Sequence, residues 1–158
     1  MADKNIVHFN RCIYCFAEME SKGAKNKENQ VCPVCGYANG LCSPKATWLS
    51  PGSILKGRYM TGKLLEEKKD ELIYAGWDII KECIVRIHEY YPEEWVQRDI
   101  TVSEQVNCCP GKEELLEEGK QKFFERARLF YQCTSRVEKL EMDFFVRNST
   151  CYYVRYTS

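Results

Sequence analysis

Short apolar runs punctuate most of this chain at the spacing of strands, one longer run repeats at the spacing of a helix, and the first 45 residues follow neither pattern. Residues 58–65 and 72–77 read as two strands parted by the charged turn Glu66-Glu67-Lys68-Lys69-Asp70-Glu71. Residues 83–88, rich in β-branched side chains, give a third. Leu116, Phe123, Ala127 and Phe130 then recur at helical spacing behind an acidic first turn, which predicts a helix over 112–132 in which Gly119 alone is out of character. Residues 137–145 and 151–156 read as two final strands, turned by Arg147-Asn148-Ser149. Five strands and one major helix predict an α+β fold with an antiparallel sheet. Residues 1–45, in contrast, are rich in Cys, Lys and Asn, and Gly40-Leu41-Cys42-Ser43-Pro44-Lys45 reads as a linker. The expected division is a small module over 1–45 and a second domain over 46–158.

Cysteine supplies the first segment with its chemistry. The chain has 10 cysteines among 158 residues. Its start, Met1-Ala2-Asp3-Lys4-Asn5, has no apolar leader. No run approaches the roughly 18 apolar residues that span a bilayer. The expectation is a cytoplasmic protein without a membrane partner, in a reducing compartment where paired cysteines more often hold metal than form disulfides. Cys12-Ile13-Tyr14-Cys15 and Cys32-Pro33-Val34-Cys35-Gly36 form two CxxC knuckles. Two-residue spacing lets both thiolates of one tight turn reach the same ion, and Gly36 supplies the permissive backbone. Cys12, Cys15, Cys32 and Cys35 together match a closed structural zinc site, which has no open position at which to activate water. So short a segment would draw most of its folding free energy from the metal. Cys42, Cys83, Cys108, Cys109, Cys133 and Cys151 lack ligand spacing and read as core or surface thiols.

Charge narrows the partners. Lys+Arg and Asp+Glu number 23 each, so no overall basic field favours a polyanion. The basic run Ser21-Lys22-Gly23-Ala24-Lys25-Asn26-Lys27 reads as a solvated loop, with phosphate contact through the cysteine module as the alternative.

From Leu49 onward the motifs, in order, are Leu49-Ser50-Pro51-Gly52-Ser53-Ile54-Leu55-Lys56-Gly57-Arg58-Tyr59, Glu89-Tyr90-Tyr91-Pro92, Arg98-Asp99, Lys122-Phe123-Phe124-Glu125-Arg126-Ala127-Arg128, and Asp143-Phe144-Phe145-Val146-Arg147-Asn148-Ser149-Thr150-Cys151-Tyr152-Tyr153-Val154. This segment resembles the N-lobe of a bacterial Ser/Thr protein kinase group that carries a zinc ribbon ahead of the kinase domain. That group has L-x-P-G-S/T-x-L-x-G-R-Y, E-Y-F/Y-P, an R-D pair, a helix C like K-F-L-E-E-A-R, and D-F-F-x-x-N-G-T-A-Y-x-V. The resemblance implies a kinase N-lobe-like domain preceded by a four-cysteine ribbon.

The same resemblance implies that the nucleotide-site positions are degenerate. The glycines that cover the phosphates fall on Glu66, Lys68 and Glu71, putting two carboxylates where phosphates would lie. The lysine of the third strand falls on His88, the alanine beside adenine on Arg86, and the helix C glutamate on Arg126. The ion pair that activity requires cannot form from these residues. Gln97-Arg98-Asp99 and Asp143-Phe144-Phe145 match H-R-D and D-F-G only in part, and the chain reaches Ser158 where a hinge would lead to a C-lobe. With only His8 and His88 as histidines, no nucleophile–histidine arrangement stands out. The expectation is therefore not an enzyme but a pseudokinase-like interaction or regulatory module. It has structural zinc as its cofactor, no nucleotide, and a protein partner or self-association through the face a C-lobe would cover. The alternatives are an N-terminal piece of a longer pseudokinase and a nucleic-acid binder acting through the ribbon.

Overall fold

A computed structural model describes residues 10–19, 31–37, 45–134 and 141–156. The Ser21–Lys27 loop, His8, Cys42, most of the linker and the first residues of the strand expected over 137–145 lie outside them. In chain order the elements are β1 (Ile54–Leu55), β2 (Tyr59–Glu67), β3 (Glu71–Asp78), β4 (Cys83–Tyr90), β5 (Val96–Gln97), β6 (Asn107–Cys108), α1 (Glu113–Thr134), β7 (Met142–Arg147) and β8 (Thr150–Tyr156). Six strands form one antiparallel sheet in the order β1-β2-β3-β4-β8-β7, and β5 pairs with β6 apart from it. The α+β class stands, but the count of five strands is corrected. β1, β5 and β6 have two residues each, too few for any period to register. The charged turn is also tighter than expected, because β2 runs on to Glu67 and β3 begins at Glu71.

Both faces of the sheet are covered, which is why every residue of β3 is buried. On one face, the insert face, Leu72, Tyr74, Val85, Ile87, Tyr152 and Val154 pack under Leu49, Leu55, Val96 and Val106 from the segments before β2 and between β4 and α1. Glu89 points into the same layer, fully buried, and meets Arg98 at 2.7 and 2.8 Å. The Glu89 carboxylate also accepts from the hydroxyls of Tyr74 at 3.0 Å and Tyr152 at 2.5 Å, while Arg98 donates to the carbonyl of Thr47. Burial works against the Arg98 charge, but Glu89 outweighs it and raises the arginine above its ordinary value. Burial likewise pushes both tyrosines well up. Every charge here has its hydrogen bonds, the condition on which a buried ion pair persists.

On the other face, the helix face, α1 lies across β4, β8 and β7. Phe123 sits between Tyr90 (5.4 Å) and Tyr153 (5.1 Å), and Phe124 meets Phe144 edge-on at 5.7 Å. Gly119 has a steric reason: a Cβ there would stand 1.8 Å from the Tyr90 hydroxyl. Leu116, Phe123 and Ala127 are buried as their spacing predicts, but Phe130 is corrected to a half-open position, 41% exposed, because it lies over the charged Arg155 side chain of β8 rather than among apolar core residues.

Candidate metal centre and the face it covers

Two backbone turns of matching hydrogen-bond pattern carry the four cysteines. In the first, the N–H of Phe16 donates to the carbonyl of Cys12 (2.8 Å), the N–H of Cys12 to Ala17 (3.0 Å), and the N–H of Tyr14 to Cys12 Sγ (3.4 Å). In the second, Gly36 donates to Cys32 (2.9 Å), Cys32 to Tyr37 (2.9 Å), and Val34 to Cys32 Sγ (3.4 Å). The turns face each other across stacked Tyr14 and Tyr37 rings, 4.7 Å apart. Their sulfurs lie within 4.8 Å of one another, with Cys12–Cys35 and Cys15–Cys32 each at 3.7 Å. Thiolates at about 2.3 Å from a central ion in a tetrahedron stand about 3.8 Å apart, so the cage fits a four-coordinate metal.

The thiols differ in how readily they ionise. At Cys32, burial opposes the charge, but the N–H groups of Cys35 and Val34 and the neighbouring thiols outweigh it and bring the group down to about 7. Burial pushes Cys15 up, and Cys35 up to about 12. The Cys32 thiolate forms readily near neutrality, whereas Cys15 and Cys35 need a cation among them. Among the described residues this is the one group of His, Cys, Asp and Glu side chains arranged to hold an ion.

The two turns part company at one position. Gly36 has φ +77°, and the residue in the same place in the first turn is Phe16, at φ +62°. A side chain in this left-handed region costs about 1–2 kcal/mol. Phe16 is nonetheless fully buried, against Met60, Ala75 and Trp77 on the helix face of the sheet. Its ring is stacked 6.2 Å from that of Trp77. Burying a phenylalanine contributes about 1.5–3 kcal/mol, enough to offset the strain. Gly62 completes the fit: a Cβ there would lie 2.6 Å from both the Phe16 ring and the Tyr14 carbonyl. That carbonyl accepts from the N–H of Lys63 at 2.8 Å, and the Arg11 guanidinium lies 4.4 Å over Trp77 while donating to the Phe16 carbonyl. The second turn turns outward, with Val34 71% exposed. The cysteine module is thus seated on the sheet through its first turn, so part of the face expected to lie bare is covered from within the chain.

The degenerate nucleotide-site positions do not converge as the sequence reading has them. Glu66 is exposed on β2 and Lys68 lies in the turn. Glu71 turns inward, where it bonds His88 Nδ1 and accepts from the Tyr153 hydroxyl. Burial works against the Glu71 charge, yet the hydrogen bond from His88 and the nearby charges outweigh it and lower the carboxyl. Burial also lowers His88, so the imidazole is neutral near pH 7 and Nδ1 carries the proton donated to Glu71. The ring stacks 4.1 Å from Tyr153. Arg126 does not join them: it reaches Asp70 at 3.2 Å. Arg86 is exposed and stands opposite Arg155 across the β4–β8 pair.

Sequence reasoning missed the Glu89–Arg98 pair and the Phe16 anchor. For the pair a signal existed, since both residues fall in the E-Y-F/Y-P and R-D elements. For Phe16 the signal was its place four residues after Cys12, where the sister turn has Gly36 four after Cys32.

No protein-family model matches the chain, and no curated protein matches it. Among solved structures it is similar to the apo form of PpkA-294, a bacterial Ser/Thr kinase fragment, at 19% identity and a TM-score of 0.60. The likeness covers 70% of this chain and 39% of that one. At this identity it speaks to fold alone, and the fold is kinase-like. No helix among the described residues is long and apolar enough to cross a membrane.

Proposed function

We propose that this chain is a non-catalytic, zinc-holding module with a kinase N-lobe-like fold, working through protein contact. One observation carries the reading: the first cysteine turn inserts Phe16 onto Ala75, the residue paired with Arg86 where the kinase resemblance puts the adenine alanine. A nucleotide base needs that face open, and here the chain's own aromatic ring covers Ala75 beside the base position, while the long, charged side chain of Arg86 stands at the position itself. The phosphate side argues the same way. A kinase sets a permanent ammonium against the phosphates, whereas His88 at that position is neutral, buried and engaged with Glu71. Arg126, at the helix C glutamate position, has the wrong sign and is occupied by Asp70.

Zinc suits the cage because four thiolates at tetrahedral separation favour a closed structural site. Bound there, the metal would offset part of the thiolate charge and hold the two turns together. Cys12, Cys15, Cys32 and Cys35 would ligate it, and Phe16 would transmit its rigidity to the sheet.

The test is calorimetric titration and thermal shift with millimolar ATP and magnesium, beside metal analysis of the purified protein. The reading expects about one zinc per chain. It also expects no nucleotide-dependent stabilisation, since any ligand that binds only the native state must raise its stability. A saturable, magnesium-dependent rise in Tm would overturn the non-catalytic reading.

A further inference from the structure

Across the middle of the helix face, one row of side chains is unlike the rest. The register runs Ala75, Arg86, Arg155, Met142 over β3, β4, β8 and β7. Phe16 closes the Ala75 end, and at the other side Phe130 of α1 covers Arg155, 4.8 Å from its guanidinium. Between the cysteine turn and the helix, two arginines stand directly opposite each other on neighbouring strands. Like charges in that relation destabilise a sheet. Neither meets a carboxylate among the described residues, although Lys56, Arg58, Lys120 and Arg126 all do.

The polar atoms around the pair are also incomplete. Arg155 Nε is buried without a hydrogen-bond partner, and so is Nε2 of His88, two residues from Arg86 on the same face of β4. These are two of three such side-chain atoms among the described residues, and each has lost water without gaining a partner. Native structures rarely leave such groups together without a reason. Apolar surface adjoins them: Ile84 is 46% exposed beside Arg86, and Phe130 is 41% exposed.

Resting on the reading of a protein-contact module, we propose that the Arg86–Arg155 pair anchors an acidic peptide segment of a partner protein. A carboxylate of that segment bridges the two guanidinium groups, and an adjacent apolar side chain lies against Ile84 and Phe130. Planar guanidinium pairs suit bidentate carboxylate, and a bridging anion converts the repulsion between them into two charge-assisted bonds. Isolated cations on a neutral chain offer no extended field for a polyanion, so a peptide with one apolar neighbour fits better than nucleic acid.

The experiment is fluorescence anisotropy with a labelled alternating glutamate–leucine octapeptide, on the full chain with its metal. Arg86→Glu, Arg155→Glu and the milder Arg86→Gln serve as variants, each checked for unchanged zinc content and Tm. The proposal expects saturable binding that weakens as salt rises, and about a tenfold or greater loss with either reversal. The double reversal should instead take up a lysine–leucine octapeptide. Absent binding by the wild type, or binding indifferent to both reversals in folded protein, overturns it. Labelled octauridylate that binds more tightly and displaces the peptide overturns it in favour of nucleic acid. None of these results touches the non-catalytic reading, which falls only if ATP with magnesium binds.

Discussion

The two faces of the sheet are sealed by different means. The insert face is closed by chain that immediately precedes and follows the central strands, and its polar centre is complete, with Glu89 satisfied by Arg98, Tyr74 and Tyr152. The helix face is closed in two pieces, by α1 at the β7–β8 end and by the first cysteine turn at the β2–β3 end. Between them lies the arginine pair, with Arg155 Nε and the nearby His88 Nε2 buried and unpartnered. A face built from one continuous network serves stability. A face assembled from separate pieces, one of them carried by the cysteine cage, can open locally at lower cost.

The largest effect is expected from breaking the insert face. Arg98→Ala leaves the Glu89 carboxylate buried and uncompensated, which costs about 3–5 kcal/mol. Urea unfolding should show that loss as a lowered midpoint, with both faces melting together because the strands are shared. A loss under about 1 kcal/mol would mean that water reaches the pair.

A smaller and more local effect is expected from Phe16→Gly. The glycine accepts φ +62° without strain, so the turn and its cysteine cage persist, while the anchor on Trp77 is lost. The seat of the module should weaken by about 2–4 kcal/mol, somewhat less than a full phenylalanine truncation because strain is relieved. Tryptophan fluorescence should shift to the red with zinc content unchanged. Loss of zinc with the shift would show the anchor and the cage to be one unit rather than two.

The smallest effect is a pH dependence on the insert face. Asp78 is bonded by Arg58 and Tyr156; burial opposes its charge but these bonds outweigh it, lowering its pKa from 3.8 to about 2. A depressed carboxyl contributes its stability fully above its unfolded value and loses it as pH falls through the folded one. Stability should therefore fall between pH 3.8 and about 2, and the fall should be shallower in Asp78→Asn. Equal slopes for the two proteins would remove Asp78 from the acid response.

The elements with a long repeat were legible in the sequence. β3, β4 and the helix announce themselves because many residues share one period, and the paired CxxC spacing announces the cage because ligand geometry demands it. What stayed hidden depends on pairing across sequence distance. Nothing local to Arg98 says that it will lie beneath β4, and nothing local to His88 says that Glu71 will turn inward to meet it. Gly119 read as a weakness in the helix until Tyr90 came to lie against it. The seat of the cysteine module was hidden for the same reason, since its receptor surface is spread over Met60, Gly62, Ala75 and Trp77.

The claim that this seat exists, and that the metal cage maintains it, comes down to one amide. The N–H of Lys63 donates to the carbonyl of Tyr14, a bond made only while the first turn lies on the sheet. Its hydrogen exchange, followed by nuclear magnetic resonance in the zinc-loaded protein and after metal removal by a chelator, reads the seat directly. The account predicts slow exchange with zinc and a rise of at least about tenfold without it, while amides in the middle of β4 stay protected. Exchange at Lys63 that is equally slow with and without metal would contradict the coupling, and equally fast exchange in both would contradict the seat itself.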